Sequence, residues 1–148
     1  MAVTAKYYGL FWKSVCNKEV DVDSDTWKIA LFTSALTIDQ DAHQYFDVAP
    51  YLTNQVANGN GYTTGGITIS PLTVTYTGAT NKLSISSAIN PSWTSSTFTA
   101  RYGIIYDSTP GTNKPLLGYV DFGADQSPSN GTLSLTWDVN GICYVTVA

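Results

Sequence analysis

The sequence predicts an all-β protein, an antiparallel β-sandwich or small barrel with a short N-terminal helical segment. Aromatic residues make up 13% of the 148 residues, and aromatic and β-branched side chains favour strands. Turn-forming clusters rich in Pro, Gly, Asn and Asp separate short alternating runs after residue 66, as in a sandwich or barrel. The length and the lack of an internal repeat predict one domain over residues 1–148.

The N-terminal segment, residues 1–20, predicts a short amphipathic helix. Its apolar residues recur at spacings of three and four, namely Tyr8, Phe11, Trp12, Val15 and Cys16. The uncharged run between Lys6 and Lys13 is too short for a signal-peptide core or a membrane span. We therefore expect the protein to be made and assembled in a cytoplasm.

A strand from about Thr26 to Thr33 follows, and then a long irregular loop at 35–66 without a sustained period. A stretch of this length is usually a functional or a packed loop. The later strand signals are "ITIS", "LTVTY", "KLSIS", "FTARYGIIYD", "LLGYVDFG", "TLSLTWDV" and "ICYVTV". Between the last two, Asn140 and Gly141 predict a two-residue type I′ hairpin.

The charge and the cysteine content indicate which classes of partner and which redox compartment to expect. The formal net charge is −4, and only 12% of residues are charged, so we expect no binding to nucleic acid or to a membrane. The two cysteines, Cys16 and Cys143, are interpreted as buried thiols of a reducing compartment, although one disulfide between them stays open.

The acidic segments do not match a metal site. The run "DVDSD" at 21–25 begins like a calcium loop, but Thr26 and Phe32 stand where that loop needs Gly and Glu. In "DQDAHQYFD" at 39–47, His43 is the only histidine of the chain, whereas transition-metal sites recruit further His or Cys ligands. We expect no metal and no cofactor, and we interpret Asp39 and Asp41 as residues that organise the loop.

The sequence also lacks the catalytic motifs that we considered. No serine lies in a G-x-S-x-G elbow, and "GNGYTTGG" lacks the lysine of a phosphate loop. Paired carboxylates for glycoside cleavage stay open. We expect that the protein is not an enzyme.

The tryptophans allow two interpretations. Trp27, Trp93 and Trp137 could form a sugar-stacking platform, but Trp27 and Trp137 alternate in register with aliphatic neighbours. That alternation favours the core, because buried aromatic residues contribute large apolar areas.

An arginine in a strand that otherwise suits burial needs a charged partner or water. If "FTARYGIIYD" and "LLGYVDFG" pair as a hairpin with Tyr106 opposite Leu116, then Arg101 lies opposite Asp121. We predict that these two residues form a structural ion pair.

Several blocks together resemble a family of small virion proteins of tailed bacteriophages. They are "NKEVDVDSDTWKIALFTS", "DQDAHQYF", "GNGYTTGGIT", "TFTARYGIIYDS" and "PLLGYVDFG", in this order along nearly the whole chain. The resemblance implies a capsid decoration or cement protein on the virion surface. Its implied partners are the major capsid protein and sister copies, in a dimer or trimer. It carries no catalytic residues.

Within that interpretation, the aromatic residues of the long loop are candidate interface anchors: Tyr45, Phe46 and Tyr62. The alternative is that they hold the loop to its own domain. For function, a tail, neck or head-fibre component and a carbohydrate-binding module stay open as alternatives, with a hydrolase after them.

Overall fold

The computed structural model describes residues 4–147. One short α-helix and ten strands occur in this range. They are β1 Thr4–Tyr7, α1 Phe11–Cys16, β2 Trp27–Phe32, β3 Ile67–Thr68, β4 Leu72–Thr77, β5 Lys82–Ser87, β6 Ser92–Thr97, β7 Ala100–Asp107, β8 Leu116–Gln126, β9 Ser129–Ser134 and β10 Cys143–Thr146. The all-β class is confirmed. Over residues 4–147, no helix has the length and apolar character that a membrane crossing requires.

The strands form three antiparallel sheets. The largest has the order β1-β8-β7-β2-β3, a second has the order β10-β5-β4, and β6 pairs with β9. One apolar cluster joins all three sheets through residues such as Trp27, Ile85 and Trp93. The smaller sheets therefore pack on one face of the large sheet, while the architecture as a sandwich or small barrel stays a prediction.

The large sheet is apolar on both faces. Strand β2 reads "WKIALF", and its residues Trp27, Ile29 and Leu31 belong to the cluster shared with the smaller sheets. Ala30 and Phe32 point the other way, into a second buried cluster. A strand buried on both faces shows a continuous apolar run, which explains the lack of alternation at this point.

The N-terminal prediction is partly wrong. Residues Thr4–Tyr7 form strand β1 and pair with β8, so the helix is confined to Phe11–Cys16. Tyr8 lies in the second cluster and not on the helix. The exposed edge of β8 offered hydrogen bonds to this segment, and such tertiary pairing overrides a helical spacing.

The predicted hairpin at Asn140 and Gly141 is also wrong. The turn spans Asp138 to Gly141, where the Gly141 amide donates to the Asp138 carbonyl and the Asn140 amide donates to Asp138 Oδ1. The flanking strands do not pair with each other, since β9 pairs with β6 and β10 pairs with β5. Strand β6, rich in Ser and Thr, was not predicted.

The two cysteines differ in their exposure to solvent. Both are free thiols, but Cys16 is exposed, which contradicts the expectation that both are buried. It lies at the end of α1, on the side away from the core. Burial raises the pKa of the Cys143 thiol to about 12, so that this thiol stays protonated at neutral pH.

Candidate functional site

The first part of the long loop, with Leu36, Phe46 and Tyr51, covers the second face of the large sheet, and its aromatic residues attach it there. The Phe46 ring stacks on Tyr106 of β7 with centroids 3.6 Å apart, and it also contacts Phe32 and Tyr51. Burial raises the pKa of the Tyr106 phenol to about 12, and its hydroxyl donates to the Gly65 carbonyl. Phe46 is therefore mainly a contact within its own domain.

A second set of contacts connects the loop to the turn between β7 and β8. The Asp47 carboxylate accepts hydrogen bonds from the amides of Asn113 and Lys114 at 2.8 and 2.9 Å. The half-buried Tyr45 pairs with Pro115 and donates through its hydroxyl to Glu19. The block "DQDAHQYFD" and the distant turn "STPGTNKP" thus form one surface.

Tyr62 is buried, which favours the alternative that it holds the loop to its own domain. Its hydroxyl accepts a hydrogen bond from the amide of Leu31 at 3.1 Å and another from Gln55 Nε2 at 2.9 Å. Strand β3 pairs with Lys28 and Ile29 of β2 and ends before Leu31, so it offers no hydrogen-bond acceptor to the Leu31 amide. Tyr62 completes the edge of the sheet there, as a buried backbone amide requires a partner.

His43 belongs to a hydrogen-bonded group with Tyr51 and Tyr8. Its Nδ1 accepts from the amide of Asp39 at 3.2 Å and lies 2.9 Å from the Tyr51 hydroxyl. That hydroxyl lies 2.7 Å from the hydroxyl of Tyr8. Burial raises the pKa of both phenols, that of Tyr51 to about 12. These hydrogen bonds stabilise the loop, and the two phenols stay protonated at neutral pH.

The acidic residues considered as ligands are engaged with the backbone. Asp39 Oδ1 accepts from the amides of Asp41 and Ala42, and Asp25 Oδ2 accepts from the amide of Asp21. Within the described range 4–147, no three His, Cys, Asp or Glu side chains are grouped so that they could hold a metal ion.

Arg101 and Asp121 form an ion pair, with Arg101 Nε donating to Asp121 Oδ1 at 2.7 Å. The predicted register is wrong, however. Tyr106 does pair with Leu116, but an irregularity follows, and Asp121 lies opposite Tyr102. A second irregularity at Ala100 and Tyr102 brings Arg101 to the same carboxylate, as bulges redirect side chains. The hydrogen bond from Arg101 lowers the pKa of Asp121.

One buried carboxyl group was not predicted from the sequence. Asp107, at the end of β7, is fully buried; Oδ1 accepts from the amide of Thr109, but Oδ2 has no hydrogen-bond partner among residues 4–147. Burial, with a smaller contribution from the nearby Asp25 carboxyl, raises the pKa of Asp107 to about 6. The sequence signal that could have indicated this buried carboxyl group was the acidic residue at the end of an apolar strand.

We expect stability to fall as Asp107 ionises. Its folded-state pKa of about 6 exceeds the unfolded value near 4, so the folded state binds more protons between these pH values. The free energy of unfolding contributed by this group therefore decreases as the pH rises from about 4 to above 6. Asp107→Asn should remove this decrease and raise stability at pH 8 by about 1 kcal/mol.

Urea unfolding of the wild type and of Asp107→Asn between pH 4 and 8 measures this effect. The matched control is Asp125→Asn, which changes an exposed carboxyl group near the end of β8. Parallel pH profiles for the wild type and Asp107→Asn would contradict the prediction.

The tryptophans considered for a sugar platform mainly build the core. Trp27 and Trp93 are buried in the cluster that joins the three sheets. Trp137 packs against the same cluster while its Nε1 donates to the Ile89 carbonyl at 2.8 Å. Buried rings offer no face on which a sugar could stack.

A cavity of about 330 Å³ lies between the edge of the large sheet and β10. Tyr7 and Cys143 line it, and within the part of the chain that the structure describes the buried Tyr7 hydroxyl has no hydrogen-bond partner. Burial raises the pKa of both groups. The cavity therefore presents neutral donors at physiological pH.

The exposed apolar residues form features that the sequence analysis did not single out. On the long loop, Leu52 is 67% exposed and Val48 is 42% exposed, a few residues after Phe46. On β4, Tyr76 is 57% exposed and Val74 is 41% exposed. The sequence signals that could have indicated these exposed residues were apolar side chains in a predicted loop and in a strand without an assigned partner.

No family model matches this chain, and neither a curated protein nor a solved structure matches it.

Proposed function

We propose that the protein is a structural component of a bacteriophage virion that binds the capsid surface and reinforces it, without catalysis. The observation that carries the proposal is the long loop, which is fixed on a rigid sheet and presents Val48 and Leu52 to solvent. The resemblance of five sequence blocks to small virion proteins supports the same function.

The fixed loop supports a binding role through its low conformational freedom. Phe46 stacks on Tyr106, Asp47 holds two amides of the neighbouring turn, and Tyr62 is bonded to β2. A surface that is already ordered loses little entropy when it binds, so even a small apolar contact contributes to affinity. Repeated over many copies on a capsid lattice, such contacts add up.

The partners proposed are the major capsid protein and sister copies, on the capsid surface. The surrounding surface is rich in hydroxyl and amide groups, which suit a hydrated protein contact. A tail, neck or head-fibre component is the alternative within the same class. The carbohydrate-binding alternative loses most of its support, because Trp27 and Trp93 are buried.

We expect the protein in intact particles at a copy number comparable to that of the capsomers. Quantitative mass spectrometry of purified particles of the phage that encodes the chain measures this number. A single ring of copies would assign the protein to the tail or neck, and its absence from particles would overturn the virion proposal.

The loop surface is tested by Leu52→Asp, which adds a charge to the most exposed apolar residue of the loop. We expect this variant to bind capsids more weakly than the wild type in a sedimentation assay, with an unchanged melting temperature. Val139→Asp is the matched control, since Val139 is almost fully exposed but lies in the turn between β9 and β10. Equal binding by both variants would remove the loop from the contact.

A further inference from the structure

Strand β4 leaves one of its edges unpaired. It is the last strand of the sheet β10-β5-β4, and over residues 4–147 no strand pairs with its outer side. Alternate residues of an edge strand direct their amide and carbonyl groups outward, where they can pair with another strand. The edge of β4 is thus a site for the addition of a strand.

The edge lacks the features that usually prevent such pairing. Strand β4 reads "LTVTYT", six residues with no charge and no proline. Most natural edge strands carry lysine, proline or a bulge that disfavours association. Here Val74 and Tyr76 are exposed on one face, while Thr73, Thr75 and Thr77 line the other. The Tyr76 hydroxyl donates to Asn81, which leaves its ring accessible.

We infer that β4 pairs antiparallel with β4 of a second copy of this chain, around a two-fold axis at Thr75. The strand is complementary to itself in this register. Val74 of each copy lies opposite Tyr76 of the other, and Thr73 lies opposite Thr77 of the other. Pairing joins the two three-stranded sheets into one sheet of six strands.

Charge on the strand itself does not oppose a second copy at this edge. Each chain carries a net charge of −4, so two copies repel each other wherever acidic residues meet. Strand β4 brings no charge to the axis, and Lys82 on the neighbouring strand is engaged by Asn140 Oδ1. A two-fold contact uses the β4 edge of both copies, so that a third copy cannot add at this edge.

This inference names the surface through which sister copies meet. It concerns the protein in solution and does not depend on the virion assignment. A monomeric protein in solution would overturn it and would leave the capsid proposal to the copy-number measurement.

A disulfide across the axis tests the register. In a Cys16→Ser background, Thr75→Cys places two thiols directly opposite each other, where cross-strand Cβ atoms are about 4.5–5.5 Å apart. We expect a covalent dimer on mild oxidation. Thr73→Cys is the matched control, because its copies lie about 13 Å apart along the strands, beyond the reach of a disulfide. Equal crosslinking of both variants, or none of Thr75→Cys, would overturn the inference.

A charged substitution tests the contact itself. Tyr76→Lys removes two symmetric Val74–Tyr76 pairs, so we expect the dimer dissociation constant to rise about tenfold in analytical ultracentrifugation. Val139→Lys, which adds the same charge in an exposed turn, should leave the constant unchanged. A thermal melt checks that both variants are folded. A wild-type monomer at all concentrations tested, or a dimer that Tyr76→Lys does not weaken, would overturn the inference.

Discussion

Gly66→Ala is expected to lower the free energy of unfolding by about 4 kcal/mol or more. Gly66 ends the long loop with φ +79°, a conformation that side chains rarely adopt. A Cβ atom there would overlap the carbonyl oxygen of Ile29 and lie 2.7 Å from Ala30 Cα. Both obstacles are backbone atoms of β2, so the loop would have to leave the sheet. Urea unfolding followed by tryptophan fluorescence measures the loss.

Gly111→Ala is the matched control. Gly111 lies in the turn between β7 and β8, and an added Cβ atom there would meet no other atom of the described residues within 4 Å. We expect its stability to stay within about 0.5 kcal/mol of the wild type. If Gly66→Ala were equally well tolerated, the close approach of the loop to β2 would be refuted.

Tyr62→Ala is expected to destabilise the protein by about 3–5 kcal/mol, because the ring is buried in the core shared by the sheets. Tyr62→Phe keeps the ring but removes the acceptor of the buried Leu31 amide, so we expect a loss of about 1–3 kcal/mol. The difference between the two variants separates packing from the hydrogen bonds of the sheet edge. Chemical denaturation measures both.

Tyr76→Phe is the control, since the hydroxyl of Tyr76 is exposed and its loss leaves no buried group unpaired. We expect a change within about 0.5 kcal/mol. A Tyr62→Ala variant that keeps its stability but no longer binds capsids would contradict the structural role and restore Tyr62 as an interface anchor.

The contribution of Tyr62 also explains why the site was only partly predictable. Sequence analysis identified Tyr45, Phe46 and Tyr62 as important aromatic residues, but it could not decide whether they face a partner or their own domain. That decision depends on which backbone amides the sheet leaves unpaired. The amide of Leu31 bonds to Tyr62 and not to a neighbouring strand because β3 is two residues long. The residues around Tyr62 do not indicate the length of β3, so the sequence could not predict this hydrogen bond.

The same limit applies to the edges and ends of elements. The spacing of Tyr8, Phe11 and Trp12 favours a helix, yet residues 4–7 are a strand because β8 offers them hydrogen bonds. The Asn140–Gly141 pair favours a hairpin centred on these two residues. The turn begins at Asp138 instead, whose side chain accepts a hydrogen bond from the Asn140 amide, so its central residues are one position earlier. In both places a weak local preference was overridden by a partner that is distant in sequence or by a competing side chain.

The sequence by itself determined the all-β class, the strand pair β7 and β8, and the proximity of Arg101 to Asp121, because alternation and turn residues act over short distances. Only the tertiary structure decided the exact register of that pair, the burial of Tyr62 and Asp107, and the free edge of β4. These features depend on which strands become neighbours, and long-range pairing is set by the total packing of the chain rather than by any one segment.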